Sequence, residues 1–370
     1  MKKLSILLIA LFLPLAGGMT PVAADSLKNS LLKKIKNRQG ANRIIKCGVR
    51  GPLILGISTI DGETPGGMEG DLCKAVAAAV LGLEDAVELI PLTGAQRYAA
   101  IRNGDVDLNF RVTNPSAGRD GTLGEGVDFG APWFHDGQTV MSKLWTTDPD
   151  TVPKTLEELV DFFTNGGSSE QICVSAGTSI GPNLSSIGIP AGRIIEVPNQ
   201  KESYNDGETC NAVSNLGSLL PTFGNDPVAP VLVTHLPFVT TTRENDSAWA
   251  TAVSYVVYAT QLAAKHDVEQ ADVDTVLADP NAPGEIKELF GLVTNSTSGL
   301  TSGEQIGLDP DYAVRIIRAV GNYNEIFERN ITDVLGFEQD TFANGFNQIF
   351  LDKDNNPTGG LLVPYLASPF

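Results

Sequence analysis

Apolar and polar positions alternate along the first half of the chain in the pattern of parallel α/β units. Short apolar runs of strand length alternate with longer amphipathic stretches of helix length. The predicted elements are, in order, a strand IIKCGV, a helix DLCKAVAAAVLG, a strand VELIPL, a helix AQRYAAIRN and a strand VDLNFRV. Gly82 and Gly104 follow the two helices directly, as C-terminal helix stops do.

A similar run begins near residue 155. It predicts a helix TLEELVDFFTN, strands QICVSAG and RIIEVP with a short helix SIGPNLSSI between them, and a strand CNAV. Each run has a cysteine in its first strand and ends in a helix, a turn of Gly and Asp, and a strand. The two runs therefore predict two lobes of one α/β architecture.

Two extended apolar stretches, residues 137–145 and 230–239, connect these runs. Two crossings between two lobes would form a hinge beside a cleft. After residue 245 the pattern becomes helical. We therefore predict an α/β fold of two lobes joined by a two-strand hinge, with C-terminal helices packed on lobe one. Lobe one is expected to span 25–136 and, with a C-terminal helical extension, 232–370; lobe two is expected to span 137–231.

The N-terminal residues 1–24 have the features of a cleaved signal peptide. Two lysines precede an apolar run, and the small residues Val22 and Ala24 have the cleavage-site spacing. The apolar run is too short to span a bilayer, and no later segment approaches 18 consecutive apolar residues. We expect a soluble protein exported to the periplasm.

The chain is strongly acidic, with a formal net charge of -18 that becomes -20 once the two lysines of the signal peptide are removed. Such a surface repels nucleic acids and anionic lipids, which argues against both as partners. The sequence contains no G-x-G-x-x-G or P-loop motif. We therefore expect no cofactor.

Four cysteines in an exported chain predict two disulfides, with three possible connectivities. Pairing by proximity gives Cys47 with Cys73 and Cys173 with Cys210. The alternative is that the cysteines are buried free thiols. A metal site is not expected, because the chain has no C-x-x-C motif and we expect its three histidines, His135, His235 and His266, to be isolated from one another and from the cysteines.

Polar side chains follow one strand of each run, where open α/β sheets bind ligands. In lobe one the stretch is RVTNPSAGR, with Arg111 and Arg119; in lobe two it is AGTSIG, with Thr178 and Ser179. An arginine grips a carboxylate bidentately, and hydroxyls and N–H groups complete its shell. We predict a small anion site between the lobes.

Each of these residues also has a purely structural explanation. Arg119 could form a surface ion pair with Asp120 or Asp128. Arg111 could cap a helix or form an ion pair between the lobes, and the two hydroxyl residues could simply cap a helix.

Residues 177–181, GTSIG, also match the G-x-S-x-G pattern of a hydrolase nucleophile elbow between a strand and a helix. The corresponding base would be His235 or His266, and neither lies in a recognisable loop signature. The pattern is easily met by chance in a chain with 38 glycines.

The motifs CGV, GDLCKAVAAAVLG, PLTGAQRYAAIRNGDVDLNFR, GRDGTLGEGVDF, ICVSAGTS and VGNYNEIFERN resemble those of the periplasmic binding proteins of general L-amino-acid ABC importers. The resemblance runs from about residue 42 to 370 and includes all four cysteines. It implies a type 2 periplasmic binding protein, a monomer that closes on a free amino acid or related carboxylate and delivers it to an ABC transporter permease in the inner membrane.

The resemblance also implies roles for individual residues. Arg119 would bind the ligand carboxylate. The polar turn before it supplies Arg111, Thr113 and Asn114, and the turn of lobe two supplies Gly177, Thr178 and Ser179.

The chain departs from the family pattern at two places. The lobe-one turn reads RVTNPS where the family usually has Arg-Asn-Thr-Thr-Trp-Thr. The aspartate that pairs with the ligand ammonium falls on Leu216 or, with a shifted gap, Asn215. Because an unpaired buried ammonium costs several kcal/mol, either another acid, Glu69 or Asp71, replaces it, or the ligand lacks an ordinary α-ammonium group.

Overall fold

One eight-stranded sheet runs through the molecule. The computed structural model describes residues 29–120, 123–165, 170–176, 178–339 and 347, so the predicted signal peptide lies outside the described residues. The strands are β1 (Ile45–Arg50), β2 (Val87–Leu92), β3 (Leu108–Asn109), β4 (Val127–Ser142), β5 (Ile172–Ser175), β6 (Ile194–Val197), β7 (Ala212–Leu216) and β8 (Thr234–Arg243).

The strand order is β2-β1-β3-β8-β4-β7-β5-β6. Strand β1 pairs in parallel with β2 and β3, and β5 pairs in parallel with β6 and β7. Between these two parallel groups, the long strands β4 and β8 pair with each other in antiparallel fashion. The group β1–β3 with its helices is called lobe one, and the group β5–β7 with its helices is called lobe two. The predicted fold class of two α/β halves joined by two crossing strands is confirmed.

Helices cover the strands of both lobes. They are α1 (Leu31–Lys36), α2 (Gly67–Leu81), α3 (Arg97–Asn103), α4 (Leu156–Thr164), α5 (Ile180–Ser186), α6 (Gln200–Asn205), α7 (Ser247–Lys265), α8 (Val273–Ala278), α9 (Gly284–Leu289), α10 (Ser302–Gln305), α11 (Tyr312–Val320), α12 (Tyr323–Phe327) and α13 (Asp333–Leu335). A π-helical turn, Glu328–Thr332, joins α12 to α13.

The C-terminal helices α7, α11 and α12 pack on lobe one, as predicted. Their buried residues Val253, Ile316 and Phe327 belong to the same apolar cluster as Val49 of β1 and Val76 of α2. Burying such side chains removes apolar surface from water at about 25 cal/mol per Å². The C-terminal helices therefore complete the core of lobe one.

The crossing strands β4 and β8 both contribute to the core of lobe one, and β4 also contributes to the core of lobe two. Trp133 of β4 and Phe238 of β8 lie in the lobe-one cluster with their ring centroids 5.7 Å apart. Further along β4, Val140 lies in the lobe-two cluster with Val174. A strand that is anchored in two cores couples the position of one lobe to that of the other.

The two predicted disulfides are confirmed. Cys47 of β1 is bonded to Cys73 of α2, and Cys173 of β5 is bonded to Cys210, which precedes β7. No free cysteine is found among the described residues. Each bridge ties the first strand of a lobe to its neighbouring segment.

Strand β3 is shorter than the predicted strand VDLNFRV. It ends at Asn109 because the N–H groups of both Phe110 and Arg111 donate to the carbonyl of Gly48, at 3.1 Å each. Two donors to one acceptor break the regular ladder. The residues from Arg111 onward are therefore loop residues beyond the carboxyl end of the strand.

Candidate functional site

Four arginines of lobe one lie near the carboxyl ends of its strands. Arg50 is the last residue of β1, Arg97 is the first residue of α3, and Arg111 and Arg119 lie in the loop that follows β3. Parallel strands end at the same edge of a sheet, so these residues converge although they come from four segments of the chain. We call them the arginine cluster.

Arg111 is the most firmly held member of the cluster. Its Nε donates to the carbonyl of Leu92 at 3.0 Å, and its Nη1 donates to the carbonyl of Val112 at 2.9 Å. The side chain is buried. Neither structural role considered for Arg111, a helix cap or an ion pair between lobes, is found; backbone carbonyls hold it.

Gly94 separates two of the guanidinium groups. A methyl group in place of its hydrogen would lie 3.6 Å from Nη2 of Arg111 and 3.9 Å from Nη1 of Arg97. The two like charges are therefore near neighbours. Arg97 also lies over the ring of Tyr98, 4.6 Å from its centroid, in a cation–π contact.

Glu69 lies beneath the cluster. Its carboxylate accepts hydrogen bonds from the backbone N–H of Arg50 at 2.6 Å and from that of Val112 at 2.9 Å. The side chain is fully buried. Glu69 thus ties the end of β1 to the loop after β3 and supplies negative charge to Arg50 and Arg111.

Burial is the largest influence on the ionisation of these groups. It lowers the pKa of Arg50, of Arg97 and of Arg111, and the charges of neighbouring arginines lower each further. Burial raises the pKa of Glu69, while its two backbone hydrogen bonds and the charges of Arg111 and Arg50 act in the opposite direction. The site is electrostatically primed for an anion.

Arg119 is half-buried and is held by its own turn. Its Nη1 donates to the side-chain oxygen of Asn114 at 2.8 Å and to the carbonyl of Asn114 at 3.1 Å. No ion pair with Asp120 or Asp128 forms among the described residues. Asn114 therefore holds the guanidinium group of Arg119 in place.

Thr113 anchors the same turn. Its hydroxyl donates to the carbonyl of Arg111 at 2.6 Å, and its own carbonyl accepts from the N–H of Val239 on β8 at 3.0 Å. Thr113 is buried. Its hydroxyl proton is directed to the backbone, so its main role is to fix the loop against the crossing strand.

The lobe-two residues lie at the start of α5. Thr178 donates from its hydroxyl to the carbonyl of Ser175 at 2.7 Å and accepts weakly from the N–H of Ile180 at 3.4 Å. Ser179 is the N-cap of α5, but its side chain makes no capping hydrogen bond. Gly177 lies outside the described residues. Helix capping therefore explains one hydrogen bond of the Thr178 hydroxyl, and it does not explain the Ser179 hydroxyl.

Asn215 and Leu216 occupy the position of the missing aspartate at the end of β7. The Asn215 amide nitrogen donates to Gln200, and its side-chain oxygen accepts from the N–H of Leu216 at 2.8 Å. Gln200 also accepts from the hydroxyl of Ser175 at 2.9 Å. Asn215 therefore belongs to a polar network within lobe two that extends to the residue contacted by Thr178.

The structure brings the predicted site residues together in two groups, one in each lobe. Arg111, Thr113, Asn114 and Arg119 form the first, and the second contains Thr178, Ser179 and Asn215. In the first group, Thr113 bonds Arg111 and Asn114 bonds Arg119. In the second, Thr178 bonds Ser175 directly and Asn215 reaches Ser175 through Gln200, so its members are linked only indirectly. No hydrogen bond joins the two groups within the described part of the chain.

Neither acid considered as a substitute for the aspartate faces open space. Asp71 accepts from Nε of Arg329 at 2.8 Å and from the amide of Asn330 at 2.7 Å, so the C-terminal helices occupy it. Glu69 is enclosed by Arg50 and Val112. In this arrangement Asp71 is paired with Arg329 and Asn330, and Glu69 has the role of a counter-ion to the arginines.

A further buried acid, Asp136, lies on the crossing strand β4. It accepts from the N–H of Gly137 at 2.7 Å and from the hydroxyl of Ser218. Burial raises the pKa of Asp136 to about 6, against the effect of these hydrogen bonds. The negative charge of Asp136 also raises the pKa of Arg50, against the larger effect of burial.

The expectation that the three histidines are separate was wrong for two of them. His135 of β4 and His235 of β8 stack with ring centroids 4.7 Å apart, and Nδ1 of His135 lies 2.9 Å from Nε2 of His235. The antiparallel register, in which Gly137 faces His235, brings them together. Among the described residues, no group of three or more His, Cys, Asp or Glu could hold a metal ion.

These contacts also bear on the hydrolase alternative. His235 is engaged with His135, and Nε2 of His266 lies 2.7 Å from a carboxylate oxygen of Glu285. Neither ring bonds the hydroxyl of Ser179. The serine–histidine arrangement that a nucleophile elbow needs is not formed by the described residues.

Arg50 and Arg97 were missed in the sequence. The signal that could have found them is position, because one ends the first strand and the other begins the helix after the second strand. The rule that ligands lie beyond the carboxyl ends of parallel strands applies to both.

Two surface cavities lie elsewhere. One of about 670 Å³ is lined by α1, α3 and the segment 243–246, and one of about 540 Å³ lies beside α4. None of the candidate residues lines either. No helix of the described residues is long and apolar enough to cross a membrane.

Comparisons with known proteins agree with this architecture, although no family model matches the chain. A structure of an ABC transporter periplasmic binding protein from Brucella ovis with glutathione bound has a TM-score of 0.69 and 28% identity, and the match covers 84% of this chain and 94% of that one. The fold and the polar ends of its strands define a two-lobe periplasmic binding protein.

Two relatives give the family. The general L-amino acid-binding periplasmic protein AapJ of Rhizobium johnstonii is 30% identical over 324 residues, covering 84% of this chain and 87% of the relative. The glutamate/glutamine/aspartate/asparagine-binding protein BztA of Rhodobacter capsulatus is 32% identical over 278 residues, covering 72% and 75%. The chain belongs to the family of periplasmic amino-acid-binding proteins of ABC transporters.

Proposed function

We propose that this protein captures an amino acid or a related small carboxylate between its lobes and delivers it to an ABC transporter permease. The observation that carries the proposal is the arginine cluster, four cations gathered at the ligand-binding edge of a chain whose net charge is -18. In an acidic protein, such a concentration of positive charge needs an anionic partner.

In this proposal Arg119 binds the carboxylate. Asn114 holds one of its nitrogen atoms by two hydrogen bonds, which fixes the plane of the guanidinium group while leaving other N–H groups for the ligand. Arg111 and Thr113 support the turn from beneath. A planar guanidinium that is held in place loses little entropy when it grips a carboxylate.

Lobe two supplies the second half of the site. The hydroxyl of Ser179 makes no capping bond and is available to a ligand, and Thr178 and Gly177 would shape the turn around it. Asn215 would support this side of the site indirectly, through its hydrogen bond to Gln200, which in turn bonds Ser175. Contacts from both lobes to one ligand favour the closed state over the open one, which is the basis of capture.

We propose lobe boundaries at 25–136 with 232–370, and at 137–231. Strands β4 and β8 are the hinge. Because β4 has residues in both cores, and Val233 directly before β8 lies in the lobe-two core while Phe238 of β8 lies in the lobe-one core, bending at the centre of the two crossings would move the lobes as units. The polar contacts of Gln138, whose side-chain nitrogen donates to the carbonyl of Ile180 at 3.0 Å, connect the hinge to the start of α5.

The ligand's nitrogen is a separate question. With Leu216 and Asn215 in place of the aspartate and Asp71 engaged with Arg329, these positions offer no free carboxylate to an ordinary α-ammonium group. We propose that the ligand is an N-modified amino acid or a carboxylate without that group. The glutathione of the Brucella ovis structure carries an α-ammonium group on its γ-glutamyl residue, so in the test panel it is a ligand that this proposal expects to bind weakly.

The protein is proposed to work as a monomer in the periplasm and to have no enzymatic activity. Its partner would be the permease in the inner membrane. A sensory role, in which the closed form reports the ligand instead of delivering it, uses the same site; growth on the ligand as sole nitrogen or carbon source, with and without the gene, separates the two.

The experiment that tests the function is identification of the molecule that co-purifies with the protein from its native host, by native mass spectrometry, followed by titration calorimetry. We expect a small carboxylate that binds with one-to-one stoichiometry. Failure of every carboxylate in a panel of L-amino acids, N-acetyl amino acids, organic acids and glutathione to bind would contradict the proposal.

A further inference from the structure

We propose that the ligand carries two acidic groups and that Arg50 binds the second. This inference rests on the proposed function, since it adds to the Arg119 carboxylate site a further site for negative charge. It names the chemical class of the ligand as a small dianion and makes Arg50 a specificity-determining residue.

The guanidinium group of Arg50 has unused donors. Within the described part of the chain it donates no hydrogen bond and joins no ion pair, and its Nε is buried without a partner. The Nε of Arg97 is likewise buried without a partner, but the guanidinium group of Arg97 lies on the ring of Tyr98, while Arg111 bonds two backbone carbonyls and Arg119 bonds Asn114. Buried donors are nearly always paired, so an unpaired one at a binding edge indicates a ligand.

The balance of charge also indicates a second acidic group. Four guanidinium groups lie in the cluster, and the buried acids that act on them are Glu69 and Asp136. Glu125 also acts on Arg97, but it is exposed and forms an ion pair with Arg102. Even with both buried acids ionised, two positive charges remain. A single ligand carboxylate would neutralise only one of them.

The two proposed cations come from different segments of the chain. Arg50 pairs with Leu92 in the sheet, and Nε of Arg111 donates to the carbonyl of the same residue, so Arg50 and Arg111 are neighbours. Arg119 belongs to the loop after β3, where Asn114 holds it. A cation at the end of β1 and another in the loop after β3 can bind two acidic groups of one ligand.

The test uses pairs of ligands without a free α-ammonium group that differ by one acidic group. They are N-acetyl-L-glutamate with N-acetyl-L-glutamine, succinate with succinamate, and N-acetyl-O-phospho-L-serine with N-acetyl-L-serine. Affinities are measured by calorimetry for the wild type, for Arg50→Gln and for Arg50→Lys. The matched control is Arg318→Gln, which removes an exposed arginine that is paired with Asp274.

We expect the wild type to bind the more acidic member of at least one pair roughly ten- to a hundredfold more tightly, the range of one charge-assisted hydrogen-bonded contact. Arg50→Gln should abolish that preference and leave the affinity for the less acidic member unchanged. Arg50→Lys should keep part of the preference, and Arg318→Gln should keep all of it. If the preference appears in a pair that differs by a carboxylate, the second acidic group is a carboxylate; if it appears only in the phosphate pair, the second group is a phosphate.

Thermal unfolding of the ligand-free variants tests Arg50 independently of any ligand. Since its side chain makes no hydrogen bond, Arg50→Gln should unfold at the same temperature as the wild type or higher. A lower unfolding temperature, or a failure to fold, would show that Arg50 serves the fold and would overturn the inference.

The ligand pairs separate this inference from the proposed function. If the less acidic members bind as well as the acids do, or if Arg50→Gln leaves the preference intact, the inference is wrong and the proposed function stands. If no member of any pair binds, both are contradicted.

Discussion

The imidazole rings of His135 and His235 stack across the two crossing strands, with Nδ1 of the first 2.9 Å from Nε2 of the second. The polar backbone groups of His135 are also used, since its N–H donates to the side chain of Asn347 and its carbonyl accepts from the same amide, at 2.7 Å each. The crossing point of the hinge is thus built from a histidine pair held on one side by an asparagine of the C-terminal region.

This pair makes an acid-sensitive contribution to stability, which the buried acids Glu69 and Asp136 oppose because burial raises their pKa values to about 7 and about 6. Burial, together with the neighbouring His235, lowers the pKa of His135 to about 4, against about 6.5 when unfolded. The unfolded chain therefore binds more protons between these values. The pair's contribution is fully present above pH 6.5 and is lost as the pH falls towards 4. Urea unfolding at several pH values should show a loss of about 2 to 3 kcal/mol from this source.

The variant His135→Gln isolates that effect. We expect it to cost about 1 kcal/mol at pH 7.5 through loss of the ring contact, and to have a shallower decline between pH 6.5 and 4 than the wild type. The comparison is needed because Asp136, whose pKa burial raises to about 6, acts in the opposite sense: its contribution is present at low pH and lost as pH rises through 6. Equal slopes in both proteins would refute the assignment.

The two disulfides predict comparable losses of stability on removal. The bridges Cys47–Cys73 and Cys173–Cys210 close loops of 26 and 37 residues. A loop-entropy estimate gives about 3 to 4 kcal/mol for each. The double variants Cys47→Ser/Cys73→Ser and Cys173→Ser/Cys210→Ser should each unfold at lower urea concentration. Since the bridges lie in different lobes, the losses should add in the quadruple variant; unchanged midpoints would contradict this.

Ser179 and Thr178 should respond differently to substitution. Ser179→Ala should leave the ligand-free protein within about 0.5 kcal/mol of the wild type, because the hydroxyl makes no capping bond, and should weaken ligand binding about fivefold. Thr178→Val, which removes the bond to Ser175, should cost about 1 kcal/mol of stability.

The same variant distinguishes capture from hydrolysis. A hydrolase would lose turnover of its substrate in Ser179→Ala while still binding it. We expect no turnover of ester or amide substrates by the wild type in the first place; turnover that the variant abolishes would overturn the binding-protein account.

Local patterns in the sequence predict the strands, helices and crossings, because each of these elements depends on the periodic spacing of apolar residues close together in the chain. Strand β1, helix α2 and the Cys47–Cys73 bridge are of this kind. The helical period also separates the two acids named as candidates. Glu69 and Asp71, two residues apart on α2, do not face the same side of the helix, and one meets Arg50 while the other meets Arg329.

Contacts between distant segments could not be predicted in this way. The meeting of Arg50 with Arg111 depends on the order β2-β1-β3, and the stacking of His135 on His235 depends on the register of β4 with β8. A shift of one residue in that register would place the two rings on opposite faces of the sheet. The arginine cluster is therefore a product of topology, which a single sequence does not display.

Solute capture is proposed to depend on the Arg119 guanidinium group, which holds the ligand carboxylate. The decisive experiment is calorimetric titration of the co-purifying carboxylate into Arg119→Ala, beside Arg318→Gln as a control. We expect roughly hundredfold weaker binding in Arg119→Ala, wild-type affinity in the control, and a ligand-free unfolding temperature close to that of the wild type for both. Wild-type affinity in Arg119→Ala would refute this role of Arg119.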